Sequence, residues 1–309
     1  MSEKPKGFIP VMLTPFTENG AVDYDGLTKL TELYLQAGAS GLFANCQSSE
    51  MFELTAEERL AVTRHVVKVA GGTVPVVAAA TFGGTIQRQA DFVKRMYDTG
   101  IEAAIVVTSM LAGELETADV FDDRFAQLMD ATPGIPLGFY ECPEPFKRVL
   151  TPEQLKRFVE TGRVIYHKDT CLDIDLIKAK LEVTQGVPSF GLYDAYMAHA
   201  VESLKAGSAG LSCIQGNYFP ELVVWLCNSF DDVALTDQVA LVQQFFIDHM
   251  DVMHDVYPVV AKYFLQKRGL PISRFTRRFV GVFDEGIKEK VDTLYGEYEE
   301  LHSEIELRL

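Results

Sequence analysis

Gly100-Ile-Glu-Ala-Ala-Ile-Val-Val-Thr-Ser-Met110 is the stretch that decides the fold. Its glycine stands where the preceding helical pattern should stop. Ala103–Val107 then forms a short apolar run with no polar residue on either face. Strands of this kind are buried on both sides, as in an all-parallel sheet. Outward from it, the same kind of run recurs at Ile9–Leu13, Gly41–Ala44, Val74–Ala79, Leu137–Tyr140, Val164–His167, Ser189–Leu192 and Gly210–Ile214.

Helical signals fill the intervals. Leu27, Leu30, Leu33, Tyr34 and Ala37 make one apolar stripe that starts near Asp23. Thr55-Ala-Glu-Glu58 and Thr151-Pro-Glu-Gln154 are capping boxes, the second with Pro152 at a first helical position that needs no N–H. Gly162 and Gly207, like Gly100, fall at expected helix ends. Eight strand-then-helix units in series predict an α/β fold, a closed (β/α)8 TIM barrel over residues 1–230. An open doubly wound sheet is the rival. It would need a Gly-x-Gly-x-x-Gly after the first strand to bind a dinucleotide, and the sequence has none there. From about Asp231 only helical patterns remain. Residues 231–309 are expected to form a C-terminal helical segment packed on the barrel, with breaks near Tyr257-Pro258 and Arg268-Gly-Leu-Pro271.

Composition narrows the function classes. The 309 residues carry 28 Lys+Arg against 44 Asp+Glu, a net charge of −16, which argues against a general nucleic-acid surface. The longest charge-free run, Leu33–Ser49, is broken by Gln36, Gly38, Ser40, Gly41, Asn45 and Gln47 and cannot serve as a membrane helix. Met1–Gly7 has no apolar stretch behind its charges, so no secretory signal is expected. Five scattered cysteines suggest no disulfide framework, and a reducing cytoplasm is the expected setting. No C-x-x-C occurs, and His249 and His254 are five residues apart rather than four; no metal site is expected.

Catalytic residues of such barrels project from the C-terminal ends of strands. Lys168 follows the sixth run, and Tyr140 ends the neighbouring fifth. A lysine in an apolar mouth loses its proton more readily, so its neutral amine can attack a carbonyl. A phenol beside it can shuttle the protons that carbinolamine formation and dehydration require. The alternative is that Lys168 simply pairs with Asp169 or Asp173. Glu50 reads as a brace for the loop after the second strand. Asp194 can either bind substrate hydroxyls or cap the helix that begins near Ala195.

Together, Pro10-Val-Met-Leu-Thr-Pro-Phe16, Ser49-Glu50 with Leu54-Thr-x-Glu-Glu-Arg59, Phe139-Tyr-x-x-Pro143, Lys168-Asp-Thr170, Gly210-Leu-Ser-x-x-x-Gly-Asn217-x-x-Pro220, Tyr257-Pro-x-x-x-Lys262 and Arg277 resemble the dihydrodipicolinate synthase/N-acetylneuraminate lyase superfamily of class I Schiff-base aldolases. The resemblance spans essentially the whole chain. It implies a lyase or aldolase in which Lys168 forms a Schiff base with pyruvate or another 2-keto acid and Tyr140 transfers protons. It also implies that Gln47, Ser48 and Ser49 hold the keto-acid carboxylate, with Ser212 on the last strand as a further substrate-binding position. An aldehyde partner, no cofactor and a dimer-of-dimers assembly are implied as well.

Three departures bear on the second substrate. The family's Gly-[Ser/Thr]-Thr-Gly-Glu loop is here Cys46-Gln-Ser-Ser-Glu50, and replacing the second glycine by Ser49 restricts positive φ, so a differently shaped loop is expected. Ser109-Met-Leu111 lacks the Tyr that crosses to a neighbouring site in synthase members. Pro145 stands where the synthase has its carboxylate-binding Arg, and Glu141 and Glu144 are expected to repel an anionic partner. The altered half of the site therefore argues against the lysine-biosynthesis synthase. Synthase-type condensation and sugar-acid dehydration remain alternatives, as does a non-catalytic keto-acid-binding regulator.

Overall fold

The computed structural model describes residues 6–305. Most of Met1–Gly7, read above for targeting, lies outside that range. Eight parallel strands form one sheet: β1 (Gly7–Phe8), β2 (Leu42–Asn45), β3 (Val76–Ala79), β4 (Ala103–Val107), β5 (Leu137–Tyr140), β6 (Val164–Asp169), β7 (Gly191–Asp194) and β8 (Gly210–Leu211). The sheet runs from β2 through β8 to β1 in sequence neighbours, and a bridge from Val11 to Phe43 closes it into a barrel. Side chains at alternate positions fill the interior, among them Ile9, Val11, Phe43, Val77, Ala79, Ile105, Val107, Tyr140 and Tyr166. The opposite set packs beneath the surrounding helices.

Those helices are α1 (Tyr24–Gln36), α2 (Ala56–Ala70), α3 (Ile86–Tyr97), α4 (Ala118–Ala131), α5 (Pro152–Val159), α6 (Ile174–Thr184), α7 (Ala200–Ala206) and α8 (Pro220–Ser229). Asp23 caps α1, and both capping boxes are formed at Thr55 and Thr151. Four further helices follow: α9 (Thr236–Asp248), α10 (Met250–His254), α11 (Val259–Lys267) and α12 (Glu285–Glu304). The last buries Val291, Leu294, Tyr298 and Leu301 on one face. No helix among the described residues is long and apolar enough to cross a membrane.

Six strands depart from their expected bounds, β2, β3 and β6 by only one or two residues. β1 stops at Phe8 because Pro10 has no N–H to continue the ladder; its carbonyl instead accepts from Phe43 N at 3.0 Å. A turn closed by Phe190 N on Val187 O delays β7 to Gly191. β8 ends at Leu211, since the chain turns into a short 3-10 segment at Ile214–Asn217. At Gly210 any Cβ would lie 1.7 Å from the Gly7 carbonyl oxygen, so only glycine permits the close β1–β8 pairing.

Candidate active site

A cavity of about 880 Å³ opens over the C-terminal ends of the strands, within the usual size of a ligand pocket. Lys168 and Tyr140 stand at its floor, directly opposite each other in the β5–β6 register. Lys168 Nζ lies 4.3 Å from the centroid of the Tyr140 ring. Only 4% of Lys168 is exposed, and burial lowers the pKa of its ammonium. Cys46, Cys142 and Cys213 surround it and would favour the charged form only as thiolates. Burial pushes Cys142 to about 11 and Cys213 to about 12, so those thiols stay neutral at pH 7. Tyr140 is likewise pushed well above its ordinary value by burial and keeps its proton.

Lys168 is not the surface ion pair considered above. β6 runs two residues further than its apolar run, to Asp169, so the lysine is held within the strand. Asp173 caps α6 through Asp175 N and Leu176 N. Asp169 points away from the cavity, where Lys180 Nζ sits 2.6 Å from its Oδ2 and 2.7 Å from Glu141 Oε1. Glu141 is therefore not a repulsive group at the mouth, contrary to expectation, but half of a fully buried ion cluster behind the barrel wall. His167 completes it, with Nε2 3.4 Å from both carboxylates. Burial works against a charged His167, yet Glu141 and Asp169 outweigh it and raise its pKa. Glu141, His167 and Asp169 are spaced like metal ligands, but the Lys180 ammonium already fills the cation's place between the carboxylates.

The loop after β2 separates the expected carboxylate binders. Gln47 and Ser48 line the cavity. Ser49 does not: its Oγ donates to Met12 O at 2.7 Å and accepts from Cys46 N, fixing the loop from within. Gln47–Ser49 form a 3-10 turn, and the left-handed conformation falls on Glu50, with φ 56°. Glu50 is held there by Lys262 Nζ at 3.2 Å and the N–H groups of Arg277 and Arg278, so the loop is braced by the C-terminal segment.

Asp194 and Ser212 also lie outside the cavity lining. Asp194 Oδ1 accepts from Tyr196 N at 2.9 Å and its Oδ2 lies 2.9 Å from His199 Nε2, so the carboxylate braces the turn after β7 and caps no helix. Ser212 donates to Ile9 O at 2.8 Å and accepts from Tyr166, so it ties β8 to the start of the barrel.

The C-terminal segment supplies lining residues that strand-end reasoning did not select: Tyr257, Arg278 and Phe279. Tyr257 OH donates to Ser48 Oγ at 2.8 Å. Arg278 is ion-paired with Glu144, which lines the same mouth. The Tyr257-Pro-x-x-x-Lys262 pattern was the available sequence signal, but it marked the segment without showing that it reaches the cavity.

Comparison with known proteins agrees with the barrel fold. The profile of the Dihydrodipicolinate synthetase family matches residues 4–296. A 4-hydroxy-tetrahydrodipicolinate synthase of Hyphomonas neptunium is 28% identical over 264 residues, covering 85% of this chain and 88% of the relative. A putative 2-dehydro-3-deoxy-D-gluconate aldolase of Escherichia coli K12, YagE, is 26% identical over 93% of this chain and 95% of its own. The crystal structure of YagE in complex with pyruvate superposes with a TM-score of 0.85 at 24% identity, over 95% of this chain and 98% of that one. The pyruvate complex of the Acinetobacter baumannii dihydrodipicolinate synthase gives 0.84 at 20% identity, over 96% and 99%. The chain belongs to the dihydrodipicolinate synthetase family.

Proposed function

We propose that this protein is a Schiff-base lyase or aldolase that acts on pyruvate or a 2-keto-3-deoxy sugar acid through Lys168. The observation that carries the reading is a buried lysine with a lowered pKa, facing a phenol across one strand register at the floor of a cavity. The neutral Lys168 amine attacks the keto carbon, and Tyr140 delivers a proton to the carbinolamine oxygen, which leaves as water. In the cleavage direction the protonated Schiff base accepts the electron pair of the C3–C4 bond, giving an enamine while the C4 hydroxyl returns a proton to the Tyr140 phenolate and becomes an aldehyde. In the reverse direction the enamine adds to that aldehyde.

The mouth supports an aldehyde without a carboxylate of its own. Pro145 offers no cation, Arg278 is already paired with Glu144, and Lys147 Nζ donates to Thr170 O at 2.6 Å. A cytoplasmic location and a dimer-of-dimers assembly belong to the same reading.

The test is intact-mass analysis after incubation with pyruvate and borohydride. One pyruvyl-sized adduct is expected, and Lys168→Ala should lose it. An adduct that persists in the variant would overturn the assignment of Lys168. Ligand-induced melting shifts with neither an adduct nor turnover, on a panel of 2-keto-3-deoxy acids, would favour the regulator instead.

A further inference from the structure

A polar chain runs from the outer helices to the cavity and ends at Ser48. Tyr34 on α1 donates its hydroxyl to Asn217 Oδ1. Asn217 Nδ2 donates to Val11 O at 2.9 Å and to Tyr257 OH at 2.7 Å. Tyr257 OH in turn donates to Ser48 Oγ at 2.8 Å. Tyr34 and Asn217 are fully buried.

The direction of the chain is fixed by chemistry. An amide oxygen placed beside the Val11 carbonyl would set two acceptors against each other, so the Asn217 amide cannot be turned around. Its nitrogen has only hydrogens to give, which makes the Tyr257 oxygen an acceptor on that side. The phenolic hydrogen then has one acceptor among the described residues, Ser48 Oγ. The Ser48 hydrogen is left over, with no acceptor among the described residues, on a side chain that lines the cavity.

From this polarity we infer that Tyr257 is a positioning residue that keeps the Ser48 hydroxyl hydrogen free and turned toward the carboxylate of the bound keto acid. The inference rests on the Schiff-base reading and adds a determinant of substrate choice. An anion at Ser48 meets a hydroxyl whose single hydrogen is unspent, because Tyr257 fills one of the two lone pairs of that oxygen and offers it no acceptor. Phenylalanine at 257 would free the Ser48 hydroxyl to rotate and to spend its hydrogen elsewhere.

The test compares a carboxylate-bearing ketone with one that lacks the carboxylate. Borohydride trapping on the whole protein is measured by intact mass against the concentration of pyruvate and, separately, of hydroxyacetone. Tyr257→Phe is expected to raise the half-saturating pyruvate concentration about tenfold and to leave hydroxyacetone within about twofold. Ser48→Ala should weaken pyruvate to a similar degree, and the double variant should be no weaker than the weaker single one. An unchanged pyruvate curve in Tyr257→Phe overturns the inference. Equal losses for both ketones would show a general packing role and also overturn it, as would additive losses in the double variant. If the unmodified protein forms no adduct with pyruvate, the Schiff-base reading falls and takes this inference with it. Trapping that is intact but insensitive at position 257 removes the inference alone.

Discussion

Lys180→Met tests whether the ion cluster behind β5 and β6 is held together by its central ammonium. Lys180, Glu141, Asp169 and His167 are all buried. Removing one member of such a group strands opposite charges in a dry site, which typically costs about 3–5 kcal/mol. At roughly 2–4 °C per kcal/mol for a chain of this general size, the melting temperature should fall by about 6–20 °C. The deficit should depend on pH with a definite sign. In the native cluster, burial alone would raise the Asp169 pKa, but His167 and Lys180 prevail and hold it low. Its contribution is therefore present above the unfolded carboxyl value and lost as pH falls below it. Without Lys180, His167 is the remaining cation beside two carboxylates. Its raised pKa contributes stability at low pH that is lost as pH rises through the folded value. The gap between native protein and variant should thus widen from pH 5 to pH 8.5, as read by thermal unfolding at fixed protein concentration. The Lys180→Met/Glu141→Gln double variant removes one stranded carboxylate and should melt no lower than Lys180→Met. A fall under about 3 °C at every pH, a gap that narrows with rising pH, or full additivity in the double variant would refute the reasoning.

Tyr140→Phe should slow turnover by roughly 10²- to 10⁴-fold with an unchanged melting temperature, and a rate within threefold would remove Tyr140 from proton transfer. The rate of pyruvate trapping should rise with pH as Lys168 loses its proton and level off below pH 10.5, because burial lowers that pKa; a rate that still climbs beyond that value would contradict it. Glu50→Gln cannot serve Lys262 and both backbone N–H groups at once, so hydrogen exchange at the Arg277 and Arg278 amides should accelerate. Amides that stay protected would show that the carboxylate is not their anchor.

The barrel was legible because parallel strands buried on both faces are written as short apolar runs, and β4 and β5 match theirs from end to end. Lys168 and Tyr140 were brought together by the same logic, since neighbouring parallel strands align their C-terminal ends. The loop residues were harder. A 3-10 turn changes direction within three residues, so Ser48 faces the cavity while Ser49 faces Met12. Asp194 was ambiguous because its carboxylate suits a cap and a substrate equally; in the fold it accepts from Tyr196 N within the turn after β7. Lys180 reads in sequence as the polar side of an amphipathic helix; its burial depends on Glu141, 39 residues away. Tyr257 and Arg278 were not legible as lining residues because periodicity shows that a segment is helical, not that its connections cross the mouth of the barrel.

The seam between β1 and its neighbours has a kinetic meaning. β1 supplies two strand residues, and its backbone ladder is thin on both sides. Side chains reinforce it: Ser212 on Ile9 O and Asn217 on Val11 O join residues 203 and 206 positions apart. Contacts that close loops of this length come at a high entropic cost and are expected late in folding, after the sequence-adjacent β2–β8 pairings have formed. Asn217 also orients Tyr257 and, through it, Ser48. The last step of assembly and the completion of the substrate site are then one event, and a chain that has not yet closed its seam has the nucleophile without the donor that aims its substrate.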